Sequence, residues 1–164
     1  MASQSDIKNM LSELKQISDA GFALAYEVNF TTPRYLFQTY PKPWLDHYSQ
    51  NGLVMSDPTV QWGMENTGQV DWDLLRGNDT AGVLSAAAEH GLNYGMTCAA
   101  EVAGKRSLGS FARSDRPFSS DEVAKLTDGF ENLRALLIQV EAISPETAAA
   151  LRELSVSFTH GDHS

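Results

Sequence analysis

The residues of this chain that carry recognisable chemistry are aromatic side chains with polar tips and one carboxylate. Tyr40, Trp44 and Tyr48 follow one another at intervals of four, Asp57-Pro58-Thr59 comes next, and Trp72 closes the stretch. On a helix begun by Pro43, Trp44 and Tyr48 share one face. Tyr40, at the end of a preceding strand, points at the same space. Two phenol hydroxyls and an indole N–H on an apolar wall suit a ligand that is mostly apolar with a few carbonyls. A carboxylate in that wall, Asp57, is costly to bury without a donor. A ligand amide N–H would supply one. The plainer alternative is that the aromatics are core and Asp57 caps a helical turn beginning at Pro58. The two are compatible.

No catalytic pattern assembles. Gly104-Lys105 resembles the end of a phosphate-binding loop, but Arg106 stands where Ser or Thr is needed and Ala99 replaces the upstream Gly. No serine sits in a G-x-S-x-G elbow. His160 and His163 have H-x-x-H spacing on a tail without further ligands, so no metal site is expected. His47 and His90 read as isolated, partly exposed helix histidines, and Cys98 as a buried small hydrophobe. A hydrolase using Ser110 with His90 or His47 would lack any triad spacing. The expectation is a protein that is not an enzyme, with no cofactor.

The elements that position these residues follow from periodicity. Ile7, Met10, Leu11, Leu14 and Ile17 recur at helical spacing, with Ser5 or Asp6 as cap and Gly21 as stop. From Phe22 the period becomes two: Phe22, Leu24, Tyr26, Val28 and Phe30 alternate with Ala23, Ala25, Glu27 and Asn29. This strand turns at Thr31–Arg34 into a second one over Tyr35–Tyr40. The helix after Pro43 runs to Asn51, and Gly52–Leu75 reads as loop with short helical turns. A helix is expected over Asn78–His90, then strands Thr97–Ala103 and Arg106–Arg113 joined through Gly104-Lys105. Ser119–Ile143 is a long helix, and a weaker one is expected from Glu146 to Phe158. Two hairpins separated by helices give an α+β fold, an antiparallel sheet with helices on its faces.

Composition bounds the partners. The 164 residues hold 12 Lys+Arg against 21 Asp+Glu, a net charge of −9, which argues against binding nucleic acid. No apolar run approaches the ~18 residues needed to span a bilayer. The polar start, Met1–Asp6, lacks a secretory pattern, and a single cysteine fits a reducing compartment. A cytoplasmic protein without membrane contact is expected.

The set Trp44-x-x-x-Tyr48, Asp57-Pro58, Trp72, Gly91-Leu92-Asn93-Tyr94-Gly95 and Leu108-Gly109-Ser110 resembles the autoinducer-binding domain of LuxR-type quorum-sensing regulators. The resemblance runs from the first helix to about Gln139. It implies an α-β-α sandwich with a central antiparallel sheet of about five strands, and an N-acyl homoserine lactone or similar amphipathic signal as ligand. By position, Trp44 would donate to the lactone carbonyl, Asp57 would accept from the amide N–H, and Tyr40 would donate to the amide carbonyl. Tyr48 and Trp72 would line the acyl chain and ring, with Thr59 close by. Family members often carry Ser or Thr two residues after the position of Ser110. Ala112 stands there instead, which shifts the acyl-carbonyl contact to Ser110.

The resemblance also implies a helix-turn-helix domain after the binding domain. About 25 residues follow Gln139, with Arg152 their single Arg or Lys, so residues 1–143 read as the binding domain and 144–164 as a short helix and tail without a DNA-binding domain. On that reading the chain is a signal sink or an inhibitory partner of a full-length receptor; the alternatives are a ligand-binding fragment of a transcription factor and an interaction protein with a filled pocket. Val123, Leu126, Phe130, Leu133, Leu137 and Val140 follow heptad spacing, which fits either packing on the chain's own sheet or a dimer seam, homodimeric or with a LuxR-type receptor.

Overall fold

Strand β1 (Gly21–Asn29) turns Phe22, Leu24 and Tyr26 to one face and Ala23 and Ala25 to the other. That difference in side-chain size sets the architecture. In the computed structural model, which describes residues 4–29, 32–144 and 146–150, β1 pairs with β2 (Thr32–Gln38) and β5 (Lys105–Arg113). With β4 (Tyr94–Val102) and β3 (Gly68–Asp71) they form one antiparallel sheet in the order β2-β1-β5-β4-β3.

Helices cover both faces. On the large-residue face, α1 (Gln4–Ile17) and α5 (Ser120–Ile143) bring Ile7, Leu11, Leu126, Phe130 and Leu133 into one core with Phe22, Leu24, Phe37 and Phe111. The heptad-spaced residues of α5 therefore pack on the chain's own sheet and on α1. Gly129 lets α1 approach: a Cβ there would lie 2.5 Å from Leu14 Cδ2. On the small-residue face lie α2 (Lys42–Gln50), α3 (Pro58–Glu65) and α4 (Val83–Glu89), with a second cluster around Trp44, Trp72, Leu84 and Leu92. The α-β-α sandwich expected from the sequence is present.

Several boundaries differ, each for a local reason. Ser5 and Asp6 lie within α1 instead of capping it. Thr32 and Pro33 already belong to β2, an edge strand that tolerates the missing proline N–H, and Tyr40 lies two residues beyond its end. The stretch read as loop over Gly52–Leu75 contains α3, β3 and two 3₁₀ turns. Helix α4 starts only at Val83, where the Asp79 carboxylate accepts the N–H groups of Val83 and Leu84. The β4–β5 turn is Ala103-Gly104, with φ of 55° and 77°, not Gly104-Lys105.

Val28 also departs from the simple alternation. A bulge at Glu27, whose φ is 54°, shifts the register between Ala25 and Val28 and puts Val28 on the small-residue face. The helix expected over Glu146–Phe158 is present over 146–150, and its remainder, with Phe30, Thr31, Arg152, His160 and His163, lies outside the described residues. No helix among the described residues is long and apolar enough to cross a membrane.

Candidate functional site

The small-residue face leaves a cavity of about 400 Å³ between the sheet and helices α2 and α3. All seven residues singled out from the sequence (Tyr40, Trp44, Tyr48, Asp57, Thr59, Trp72 and Ser110) line it.

Asp57 reaches the cavity wall because of chain geometry. Helix α2 ends at Gln50, a 3₁₀ turn over Leu53–Met55 reverses the chain, and Asp57 caps α3 ahead of Pro58. Its Oδ1 accepts the Thr59 N–H at 2.8 Å and the Thr59 hydroxyl at 2.7 Å, and its Oδ2 accepts the Tyr48 hydroxyl at 2.8 Å. Both readings of Asp57 thus coexist, cap and cavity wall. One expectation is corrected: the protein itself supplies donors to the buried carboxylate, and a ligand N–H is not needed to bury it. Burial pushes the Asp57 carboxyl above its ordinary value, and the bonds from Thr59 and Tyr48 oppose that rise. Burial, reinforced by the Asp57 charge, holds the Tyr40 and Tyr48 phenols far above their ordinary value, so both remain donors.

The other polar tips divide into engaged and free. Tyr40 donates to the Ser110 carbonyl at 3.3 Å, so its hydroxyl is turned to the strand. Trp72, on a 3₁₀ turn after β3, donates its indole N–H to Thr97 Oγ1 at 3.0 Å, and Thr97 Oγ1 lies 2.7 Å from Ser110 Oγ. The Trp44 ring packs against Tyr48, His47 and His90 at 5.7, 5.9 and 5.4 Å between centroids. No acceptor among the described residues engages its indole N–H, which stays available at the cavity wall. His47 and His90, read as isolated, stand 5.8 Å apart across α2 and the end of α4. Neither hydrogen-bonds a serine among the described residues: His47 meets Asn51, and His90 meets the Ala86 carbonyl.

The apolar part of the cavity was not singled out from the sequence. Ala25, Val28, Leu36 and Leu108 line it from the sheet, and Val60 and Met64 from α3. The alternation of Ala23 and Ala25 with Phe22 and Leu24 carried the signal for the sheet side. Thr97 was missed because a threonine on a strand has no spacing that distinguishes it.

Comparison with known proteins bears on the family and the fold. A family model described as the autoinducer binding domain matches residues 15–138. The transcriptional activator protein SolR of Ralstonia nicotianae is 31% identical over 123 residues, 71% of this chain and 52% of SolR. The chain thus spans about half the length of that relative. Among solved structures, SdiA in complex with octanoyl-rac-glycerol superposes with a TM-score of 0.63 at 22% identity, covering 90% of this chain and 63% of SdiA. The N-acylhomoserine lactone dependent LuxR family transcription factor CepR2 from Burkholderia cenocepacia gives a TM-score of 0.62 at 14% identity, over 90% of this chain and 85% of CepR2. At these identities the two structures speak for the fold alone.

Proposed function

Because the chain belongs to the autoinducer-binding domain family of LuxR-type regulators, we propose that its cavity binds an N-acyl homoserine lactone as a quorum-sensing signal. The observation that carries this is the division of the cavity into a polar and an apolar end. At the polar end, the Asp57 carboxylate accepts from Tyr48 and Thr59 and can take a further N–H, and among the described residues the Trp44 N–H has no partner. A lactone amide N–H suits the first and the lactone carbonyl the second. Tyr48, Thr59, Trp72 and Ser110 complete that end, and Tyr40 reaches the amide carbonyl by releasing its long bond to the strand. The acyl chain follows β1 past Ala25 and Leu36.

A cavity of about 400 Å³ falls within the range of small-molecule sites. SdiA holds octanoyl-rac-glycerol, an acyl chain on a hydroxylated head; such a head also offers Asp57 a donor. The setting we propose is cytoplasmic, where the buried Cys98 remains a thiol. There the domain acts in transcription regulation, as a signal sink or an inhibitory partner of a full-length receptor. Adding the protein to such a receptor on its promoter separates these two: a sink is overcome by excess lactone and an inhibitory partner is not.

The direct test is thermal melting with lactones of four to fourteen carbons, 1-octanoyl-rac-glycerol and a ring-opened lactone. A ligand at a hundredfold excess over Kd adds about 2.7 kcal/mol, a rise of roughly 5–10 °C for a domain of this size. Opening the ring reduces the shift, because a carboxylate must then be desolvated beside Trp44 and Trp72. Duplex DNA gives none, given the net charge of −9. An unchanged melting temperature across the lactone series overturns the proposal, and stabilisation by the acylglycerol alone replaces the ligand class.

A further inference from the structure

The hydroxyl pair Thr97–Ser110 joins neighbouring strands at the register position Thr97↔Ser110. Its oxygens are 2.7 Å apart and either could donate. The neighbours decide which one does. Trp72 Nε1 can only donate, so Thr97 Oγ1 accepts from it at 3.0 Å. Thr97 is buried, and among the described residues its hydroxyl meets no acceptor other than Ser110 Oγ. Leaving that O–H unpaired would incur its full desolvation penalty. Thr97 therefore donates to Ser110. Ser110 Oγ then has its own hydrogen left over, no acceptor among the described residues takes it, and the residue lines the cavity. Gly95 permits the arrangement by leaving room for the Trp72 ring.

We propose that Thr97 is a positioning residue that, oriented by the Trp72 indole, fixes the Ser110 hydroxyl as a hydrogen-bond donor into the cavity and so selects ligands with an acceptor, such as an acyl carbonyl, at that point. This rests on the lactone reading, but part of its test does not. Thr97 never touches the ligand; it acts through Ser110.

The experiment compares wild type, Thr97→Val, Thr97→Ser, Ser110→Ala and the Thr97→Val/Ser110→Ala double variant, with N-decanoyl homoserine lactone as probe. Ser110→Ala and Thr97→Val each weaken binding roughly fivefold, the worth of one neutral hydrogen bond. Thr97→Val costs nothing more on the Ser110→Ala background, and Thr97→Ser restores wild-type affinity. Unchanged affinity in Thr97→Val, additive losses, or no rescue by serine overturns the proposal. Should Thr97→Val not fold, Thr97→Cys, a weak donor of similar size, takes its place in the same comparison. Urea unfolding of the same proteins without ligand is independent of the lactone: the two single-variant shifts in midpoint are non-additive if the Thr97–Ser110 bond exists, and additive shifts overturn it. If wild type ignores the lactone while unfolding remains non-additive, the ligand reading fails and the hydroxyl relay stands.

Discussion

The Trp72 indole occupies the space above Gly95 that a side chain would need. A Cβ on Gly95 would lie 2.2 Å from Trp72 Cδ2 and 2.4 Å from Cε2 and Cε3. The same placement brings the indole N–H to Thr97, two residues along β4. A close approach of ring to backbone thus positions a polar contact at the cavity.

Gly95→Ala tests that coupling. The methyl cannot be accommodated without moving a rigid ring, and overpacking of this kind costs about 1–3 kcal/mol. The displaced ring also loses its bond to Thr97. Denaturant unfolding should show the loss, and tryptophan fluorescence of the folded variant should shift. Unaltered stability and emission would mean that the ring has room to spare.

Asp57 makes a pH prediction with a definite sign. Burial raises its carboxyl above the ordinary 3.8, so the folded state holds that proton more tightly than the unfolded chain. The resulting stability is complete below about pH 3.8 and is lost as pH rises through the folded-state value. Asp57→Asn does not titrate. The melting temperature of wild type relative to the variant is therefore highest in acid and declines as pH climbs. A ligand N–H prefers the carboxylate, so lactone affinity rises with pH over the same window in wild type and stays flat in the variant. At neutral pH the variant binds more weakly by roughly 1.5–3 kcal/mol, the worth of a charge-assisted bond. Equal affinities for the two proteins would reduce Asp57 to a helix cap.

How far the sequence reveals this site depends on the length scale of each feature. The β1 alternation is legible because large and small residues sort onto opposite faces, and Ser119 is legible as the start of α5, where it forms a capping box with Glu122. The start of α3 is legible as a turn at Pro58 capped by Asp57, but not its extent of eight residues with Gly63 inside, and β3 has only four residues, mostly exposed. Val28 faces the cavity because Glu27 adopts a left-handed conformation. That conformation is held by tertiary contacts, the Ser107 hydroxyl on its N–H and Lys105 Nζ at 3.1 Å from its carboxylate. Sequence places the seven candidate residues around one space, but not their bonds to one another. Thr59 meets Asp57 locally, at the first turn of α3, whereas Tyr48 reaches it only because the turn at Gly52 folds α2 back toward α3.

Leu133→Glu separates the two uses of the α5 stripe. Leu133 is fully buried in the core shared with α1 and the sheet. A glutamate there loses packing and buries an unpaired charge, about 2–5 kcal/mol for the packing alone. Circular dichroism and sedimentation should report unfolding or aggregation. Ile138→Glu, at an exposed position of the same helix, should change stability by no more than about 0.5 kcal/mol. A folded, monomeric Leu133→Glu protein would show instead that this position faces a partner.

Val28 should set the length of acyl chain the cavity accepts. Across the sheet, Ala23 pairs with Ser110 and Gln38, Ala25 with Leu108 and Leu36, and Val28 with Arg106 and Pro33. Arg106 turns its guanidinium to the Gly63 and Asn66 carbonyls and does not line the cavity. The wall therefore passes from Ser110 and Gln38 to Leu108, Leu36, Pro33 and Val28 along β1, over roughly 15 Å at ~3.3 Å per residue. With the lactone head at Ser110, the chain ends near Val28. Stabilisation should then grow by about 0.8 kcal/mol per buried CH₂ until that end is reached. Val28→Phe fills the end, so the gain should stop a few carbons earlier while short-chain lactones bind as before. Val28→Ala should move the limit the other way. Melting shifts across the lactone series read both effects. A uniform loss at every chain length would mean that Val28 supports the fold and does not terminate the cavity.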